Sequence, residues 1–417
     1  MLDKYEQTFY NKNGENMEKQ ILHIDVNNAF LSWTAVEMLK NGSNIDIREI
    51  PAIIGGDETK RSGIVLAKSM KAKECGVKTA QTIYEARAKC PGLKIYPSNF
   101  KIYKQYSNKL YELLLQYTDK IERFSIDECF LDMTNYLMQE TLENKAKEIS
   151  KRVKEELGFT VNIGIAPNKL LAKMASDFTK PDKIHTLYKE EIPTKMWPLP
   201  VSELFMLGKR TVPKLYNMQI RTIGDLAKTS KETLSKKFGK HGIQMWEYAN
   251  GIDNSDVQYK KEKPKGIGNS ITLPENVEQI EKLEEILLAL AEQVTFRLRK
   301  YDLLAKTVNV QLRTNNFEDS SHQGKLEPPT STTKEIYEKA KKLLNQMYYK
   351  PMKIRLIGLR VDNLIEKENM QISLFQESKN DKQEKLDKVV DELKNKYGYN
   401  KITRAGKMNT EIKLKDI

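Results

Sequence analysis

The hydrophobic pattern first resolves at residues 20–26, QILHIDV, a short run rich in β-branched residues with an acid, Asp25, next to its end. The following NNAFLSWTAVEML spaces its apolar residues as a helix does, so a strand should lead into a helix with Asp25 near the junction. IPAIIGG reads as a second strand, and RSGIVLAKSMKAKECGVKTA as a glycine-bounded, lysine-studded helix. Residues 101–118 form a further helical pattern, and FSIDECFLDM (124–133) reads as buried β-structure. A helix near 140–157, the strand TVNIGIA and the helix NKLLAKMASDF after Pro167 complete the series. Strands and helices that alternate in this way predict an α/β or α+β domain around a central sheet.

From residue 195 the pattern changes to small helices and tight turns. Residues 204–227 resemble a helix-hairpin-helix unit, in which a glycine turn aims backbone N–H groups at a DNA phosphate. The usual hairpin has two glycines around an apolar residue, and here Leu207 and Gly208 supply only the second. The polar segment 251–268 reads as a linker. Residues 269–365 carry the strand signals TVNVQLRT and MKIRLIGLRV between two amphipathic helices, which predicts a small α+β domain. Beyond it lie the apolar island MQISLFQ and a helix near 384–397, with Leu386, Val389, Val390 and Leu393 on one apolar face. Residues 1–19 are polar and aperiodic and read as a disordered extension.

Composition narrows the function. A chain of 417 residues exceeds one compact core and should divide into several domains. Its 70 Lys and Arg against 57 Asp and Glu leave a net charge of +13, which points to a polyanionic partner such as nucleic acid. Cys75, Cys90 and Cys129 have neither zinc-ligand spacing nor an even count, so reduced thiols in a cytoplasmic protein are expected. The sequence contains neither an apolar run of membrane-spanning length nor a secretory signal pattern.

Within this framework the acids of FSIDECFLDM call for an explanation. Asp127 and Glu128 are adjacent in an apolar setting, and ionised carboxylates are costly to bury without positive charge. Straight strand alternation would send them to opposite faces, so aiming both at one point needs a turn or bulge. Asp25 could then join them, and three hard oxygen donors without His or Cys suit Mg²⁺. On spacing alone an equal alternative stands: Asp127 and Glu128 mark a surface turn, and Asp25 caps the next helix.

The ordered set HIDVNNAF, GVKTAQTIYEA, FSIDECFLDMT and VNIGIAPNKLLAKMASDFTKP resembles the Y-family (translesion) DNA polymerases, most closely their polymerase IV, or DinB-like, branch. The resemblance implies an α+β right-hand polymerase with a ferredoxin-like palm (20–40 and 96–170), small fingers (41–95) and a helical thumb (171–250). The linker 251–268, a C-terminal little finger (269–365) and a tail (366–417) would follow. It implies template-directed addition of deoxynucleotides to a primer with two Mg²⁺ ions, low fidelity and a role in repair. Asp25 and Asp127 would bind both metals, Glu128 would complete the catalytic metal site, and the Val26 carbonyl would be a further ligand. Phe30 matches the aromatic steric gate against ribose, and Lys180 the lysine that contacts the triphosphate. In the thumb, Gly208 and Lys209 would meet DNA. QISLF resembles a sliding-clamp motif, with Gln371 at the pocket edge and Leu374 and Phe375 inside it. A monomer that binds primer-template DNA, dNTP and the clamp, and no membrane, is the expected form.

Some positions depart from the family pattern. The finger helix has Met70 and Lys73 where a Tyr and an Arg are typical, so Lys73 meets phosphate as a point charge. Asn27 and Ala29 stand where a second acid and an aromatic are frequent, as in the UmuC-like branch, whose members often depend on accessory proteins. Two rivals remain at this level: a nucleotidyl cyclase, and a non-catalytic or partner-dependent, clamp-associated DNA-binding homologue. Lys169 and Lys173, four apart on a helix, read as a solvated face.

Overall fold

The computed structural model describes residues 18–56, 63–136, 140–260, 262–367, 381–398 and 402. The clamp-like motif at Gln371, Leu374 and Phe375 and the extension 1–17 lie outside the described residues. The chain divides into two compact units that meet in sequence at Lys261 and Glu262.

The first unit begins with β1 (Ile21–Val26), α1 (Ala29–Lys40), β2 (Ala52–Gly55), β3 (Val65–Lys68), α2 (Met70–Glu74), α3 (Ile83–Lys89), β4 (Lys94–Pro97) and α4 (Phe100–Leu114). It continues through β5 (Ile121–Arg123), β6 (Glu128–Asp132), α5 (Leu142–Arg152), β7 (Val161–Ala166), α6 (Lys169–Asp177) and β8 (Ile184–Thr186). Four short helices close it: α7 (Val212–Tyr216), α8 (Ile223–Lys228), α9 (Lys231–Phe238) and α10 (Lys240–Ala249). Its main sheet has the order β5-β6-β1-β7-β8, with β1 central and antiparallel to β6 and β7. A smaller sheet, β3-β2-β4, carries its own core around Ile53, Val65, Ile83 and Leu93.

The central strands are two-faced. Leu22, Ile24 and Val26 pack with Leu131, Ile163 and Ile165 in one core, together with Trp33 of α1 and Tyr103 of α4. On the opposite face stand His23, Asp25, Phe130, Glu128, Asn162 and Gly164, because strand side chains alternate. Helix α6 packs against β1 and β7. Asn168 caps it by accepting from the Leu171 N–H. Gly164 permits this closeness: a Cβ there would lie 1.9 Å from the Ala172 carbonyl oxygen and 2.6 Å from the Ser176 nitrogen.

Two local expectations require correction. The segment expected as one helix from 61 to 80 contains β3 and only a short helix, α2. Its apolar β-branched start pairs with β2, and the helix begins only where the Ser69 side chain accepts from the Ala72 N–H. The helix following β1 is preceded by Asn28, and no side-chain cap forms there, so Asp25 is not its cap.

The second unit comprises β9 (Gly266–Val277), α11 (Ile280–Lys300), β10 (Leu303–Thr314), β11 (Asp319–Thr330), α12 (Thr333–Met347), β12 (Ile354–Asp362), β13 (Ile365–Glu366) and α13 (Asp381–Tyr397). Its antiparallel sheet runs β11-β10-β12-β9 and packs α11 and α12 on one face. The expected strands are the two inner ones, β10 and β12. The edge strands are largely polar and exposed, so they lack the apolar signature of a strand.

Helix α13 reverses the expected amphipathic logic. Leu386 and Val389 are each 52 % exposed, while Asp387 and Lys394 are buried. Arg299 pairs with Asp387 and Asp391, Lys394 pairs with Glu292, and the Thr333 N–H donates to Asp387. These charged contacts, rather than the apolar stripe, fix the face that the helix turns inward.

One consequence of the helix-to-sheet contact is directly measurable. Gly164→Ala must push α6 off β7, because both nearest atoms are backbone, and should cost about 3 kcal/mol or more in a urea melt. A cost below about 1 kcal/mol would show that α6 does not pack this closely.

Candidate active site

The site is built at one end of β1. Cross-strand register places Asp25 opposite Glu128 of β6 and opposite Asn162 of β7. Asp127 lies just before β6, in the hairpin loop between β5 and β6, where the Phe124 and Ser125 N–H groups both reach the Glu128 carbonyl. Its own carbonyl accepts from the Val26 N–H at 3.1 Å. The hairpin turn that the adjacent acids demanded is therefore present, and it draws Asp127, Glu128, Asp25 and Val26 together through backbone hydrogen bonds.

Their side chains are held by lysines of the α6 segment. Lys180 Nζ donates to Asp25 Oδ2 at 2.7 Å and pairs with Asp177 at 2.8 Å. Lys173 Nζ donates to Glu128 Oε1 at 3.1 Å, with Asp177 at 3.3 Å and Asp25 Oδ2 at 3.9 Å. Asp127 Oδ1 instead accepts from the Ser125 hydroxyl at 2.6 Å. Among the described residues no three His, Cys, Asp or Glu side chains converge as a ready metal cage. The expected three-carboxylate convergence is thus incomplete at the side-chain level, because ammonium groups and a hydroxyl hold these carboxylates.

Electrostatics follow from that packing. Burial pushes the Asp25 carboxyl above its usual range, against the pull of Lys180 and Lys173. Burial also acts upward on Glu128, but His23 and Lys173 bring it down to about 2. Lys180 is raised, since Asp25 and Asp177 outweigh the opposing effect of its burial. Hard anionic oxygens that already gather cations fit a divalent metal by donor chemistry.

Two residues outside the expected set support the carboxylates. His23 is fully buried, lies against the Phe130 ring at a 53° tilt and has Nδ1 2.8 Å from Ser176 Oγ. The Ser176 hydroxyl donates to the Lys173 carbonyl, so its oxygen accepts from His23 Nδ1–H. Nε2 then faces Glu128 Oε2 at 3.7 Å and has no hydrogen-bond partner among the described residues. Burial lowers the His23 pKa, against the upward pull of Glu128 and Asp25. Lys173 is the second: 8 % exposed, it is no part of a solvated face, and Lys169 pairs with Glu122. Period-two spacing from Asp25 marks His23, and four-residue spacing before Asp177 on α6 marks Lys173.

The remaining expected residues are dispersed. The Phe30 ring stacks on Tyr103, centroids 4.4 Å apart, with the edge of Phe100 against it. Lys73 is exposed on α2, beside an exposed Met70. Gly208 and Lys209 are exposed ahead of α7, and the Gly208 carbonyl accepts from the Thr211 N–H. Among the described residues no helix is long and apolar enough to cross a membrane.

Comparison with known proteins places this geometry. Residues 24–177 match the impB/mucB/samB family, residues 264–374 its C-terminal domain, and residues 204–253 the thumb domain of DNA polymerase-iota. DNA polymerase IV of Clostridium acetobutylicum is 48 % identical over 95 % of this chain and its own full length. The Acetivibrio thermocellus DNA polymerase IV is 37 % identical over 93 % of this chain and 97 % of its own. DNA polymerase IV 1 of Bacillus subtilis is 34 % identical over 94 % of each. A solved Y-family DNA polymerase chimera shares the fold, with a TM-score of 0.72 and 24 % identity across 83 % of this chain and 99 % of its own. The chain therefore belongs to the Y-family DNA polymerases, among relatives that carry the name DNA polymerase IV, and is a DNA-directed DNA polymerase of right-hand fold with palm, fingers, helical thumb and little finger.

Proposed function

We propose that this chain performs translesion synthesis, adding template-directed deoxynucleotides to a primer 3′ end at low fidelity through two divalent metal ions. The observation that carries the reading is the Asp25 and Glu128 register pair, with the Asp127 backbone hydrogen-bonded beside it, in a chain of this family. Asp25, Asp127, Glu128 and the Val26 carbonyl would hold the metals, Mg²⁺ in the cell. Bound there, the ions would supply activation of the primer hydroxyl and neutralisation of charge on the leaving pyrophosphate.

The protein's own residues would orient the substrates. Lys180 and Lys73 would pair with the triphosphate, Lys73 without the fork of an arginine. Phe30, held flat on Tyr103, would stand where a ribose 2′-hydroxyl projects and so exclude ribonucleotides. Gly208 and Lys209 would meet a DNA phosphate through the thumb. We assign residues 20–40 and 96–170 to the palm, 41–95 to the fingers, 171–250 to the thumb and 269–365 to the little finger. Gln371, Leu374 and Phe375 would recruit the sliding clamp. Permissive selection of base-pair shape would lower fidelity without altering the chemistry. On this reading the protein acts as a cytoplasmic monomer.

Met70 and Lys73 give a second reading some weight: a homologue that needs a partner, or that binds DNA without catalysis. Primer extension by the purified chain separates the two. With Mg²⁺, template-matched dNTP addition should occur and should fall about a thousandfold or more in Asp127→Ala or Glu128→Ala, with DNA affinity retained. Duplex binding without extension by the unaltered chain would favour the second reading. Phe30→Ala should raise the ratio of rNTP to dNTP incorporation by at least about tenfold. An unchanged ratio would remove Phe30 from sugar selection.

A further inference from the structure

Both lysines of the site approach the same oxygen, Oδ2 of Asp25, yet they are held differently. Lys173 sits at 3.9 Å and is anchored elsewhere, by Glu128 and Asp177, with its side chain only 10 % exposed. Lys180 contacts Oδ2 at 2.7 Å, keeps Asp177 as its second partner, and is 35 % exposed. One amine is enclosed, and the other stands at the mouth of the site on a long, adaptable stem. Asp177 is 46 % exposed, so Lys180 can swing outward on its second contact without losing an ion-pair partner.

We propose that Lys180 is a built-in rival of the metal at Asp25, neutralising this carboxylate in the metal-free protein and giving way when a divalent cation enters. The inference rests on the metal reading above. An ammonium at hydrogen-bond distance fills the position at Oδ2 that a hard cation needs, and two such charges repel at this range. Lys180 must therefore leave Asp25 before the metal can settle. Once displaced, its amine is free for the triphosphate, so metal and nucleotide each draw Lys180 away from Asp25. Linkage makes the coupling reciprocal: bound nucleotide strengthens metal binding at Asp25, and bound metal strengthens nucleotide binding. Lys173 does not take part in the exchange and remains as the fixed counter-charge of Glu128.

The test is direct binding of Mn²⁺ to the full-length chain, without DNA or nucleotide, read from the free-ion signal in electron paramagnetic resonance. Lys180→Ala should bind Mn²⁺ roughly three- to tenfold more tightly than the unaltered chain at low salt. Unchanged or weaker binding overturns the exchange. Asp25→Asn serves as the control for the site. If Mn²⁺ binding is insensitive to Asp25→Asn, the metal reading fails and the inference with it; if binding depends on Asp25 but not on Lys180, only the exchange fails. Thermal unfolding gives a second readout. Lys180→Ala should melt lower than the unaltered chain in EDTA and gain more on addition of Mn²⁺. Equal gains in the two proteins would contradict the exchange.

Discussion

Carboxylates packed under a helix must meet positive charge, and this requirement organises the first unit of the protein. Asp25 and Glu128 stand opposite one another on adjacent strands and on the face that α6 covers. Left alone, two such groups would protonate or destabilise the sheet. The helix covering them supplies Lys173, and the turn beyond it supplies Lys180, at 3.1 Å and 2.7 Å from their partners. The polar face of the sheet and the basic face of the α6 segment are therefore one arrangement. Neither has an adequate explanation without the other.

Several otherwise odd residues follow from the same requirement. Gly164 removes the side chain that would hold α6 away from β7. Asn162, fully buried, donates to the Ser176 and Thr179 carbonyls and so ties the end of α6, just before Lys180, to the sheet. Ser176 joins His23 to the Lys173 carbonyl, so the helix and β1 share one hydrogen-bond chain behind Glu128. The opposite face of the same strands is apolar, and it anchors the carboxylates through Leu22, Ile24 and Leu131. Rigidity comes from one face, and charge is managed on the other.

Legibility in the sequence divides along the same lines. The strands β1 and β7 and the helices α1, α4 and α6 stand out because buried elements print strong periodicity. The ordered motifs around Asp25, Asp127 and Glu128 make the family readable, and the relatives bear that out. Strand alternation also shows correctly that adjacent acids at 127 and 128 need a turn. What stays hidden depends on tertiary partners. Lys173 looks like any helical lysine until Glu128 is placed above it. His23 looks like a strand residue until Ser176 is known to face it. The edge strands β9 and β11 are polar because edges are solvated, and α2 is short because a neighbouring strand competes for the preceding residues. Helix α13 misleads for a different reason: its docking is set by Arg299 and Glu292, far away in sequence, rather than by its own apolar stripe.

The central claim is that Asp25 exchanges its Lys180 counter-charge for a divalent cation during catalysis while Lys173 stays with Glu128. A crystal structure of the full chain with primer-template DNA, an incoming dNTP and Mn²⁺ tests it most directly, using anomalous scattering to place the ions. The account predicts anomalous peaks against Asp25, Asp127 and Glu128, with Lys180 Nζ away from Asp25 and against the triphosphate, and Lys173 still paired with Glu128. An ordered dNTP with no peak beside Asp25, and Lys180 still bound to Asp25 Oδ2, would contradict it.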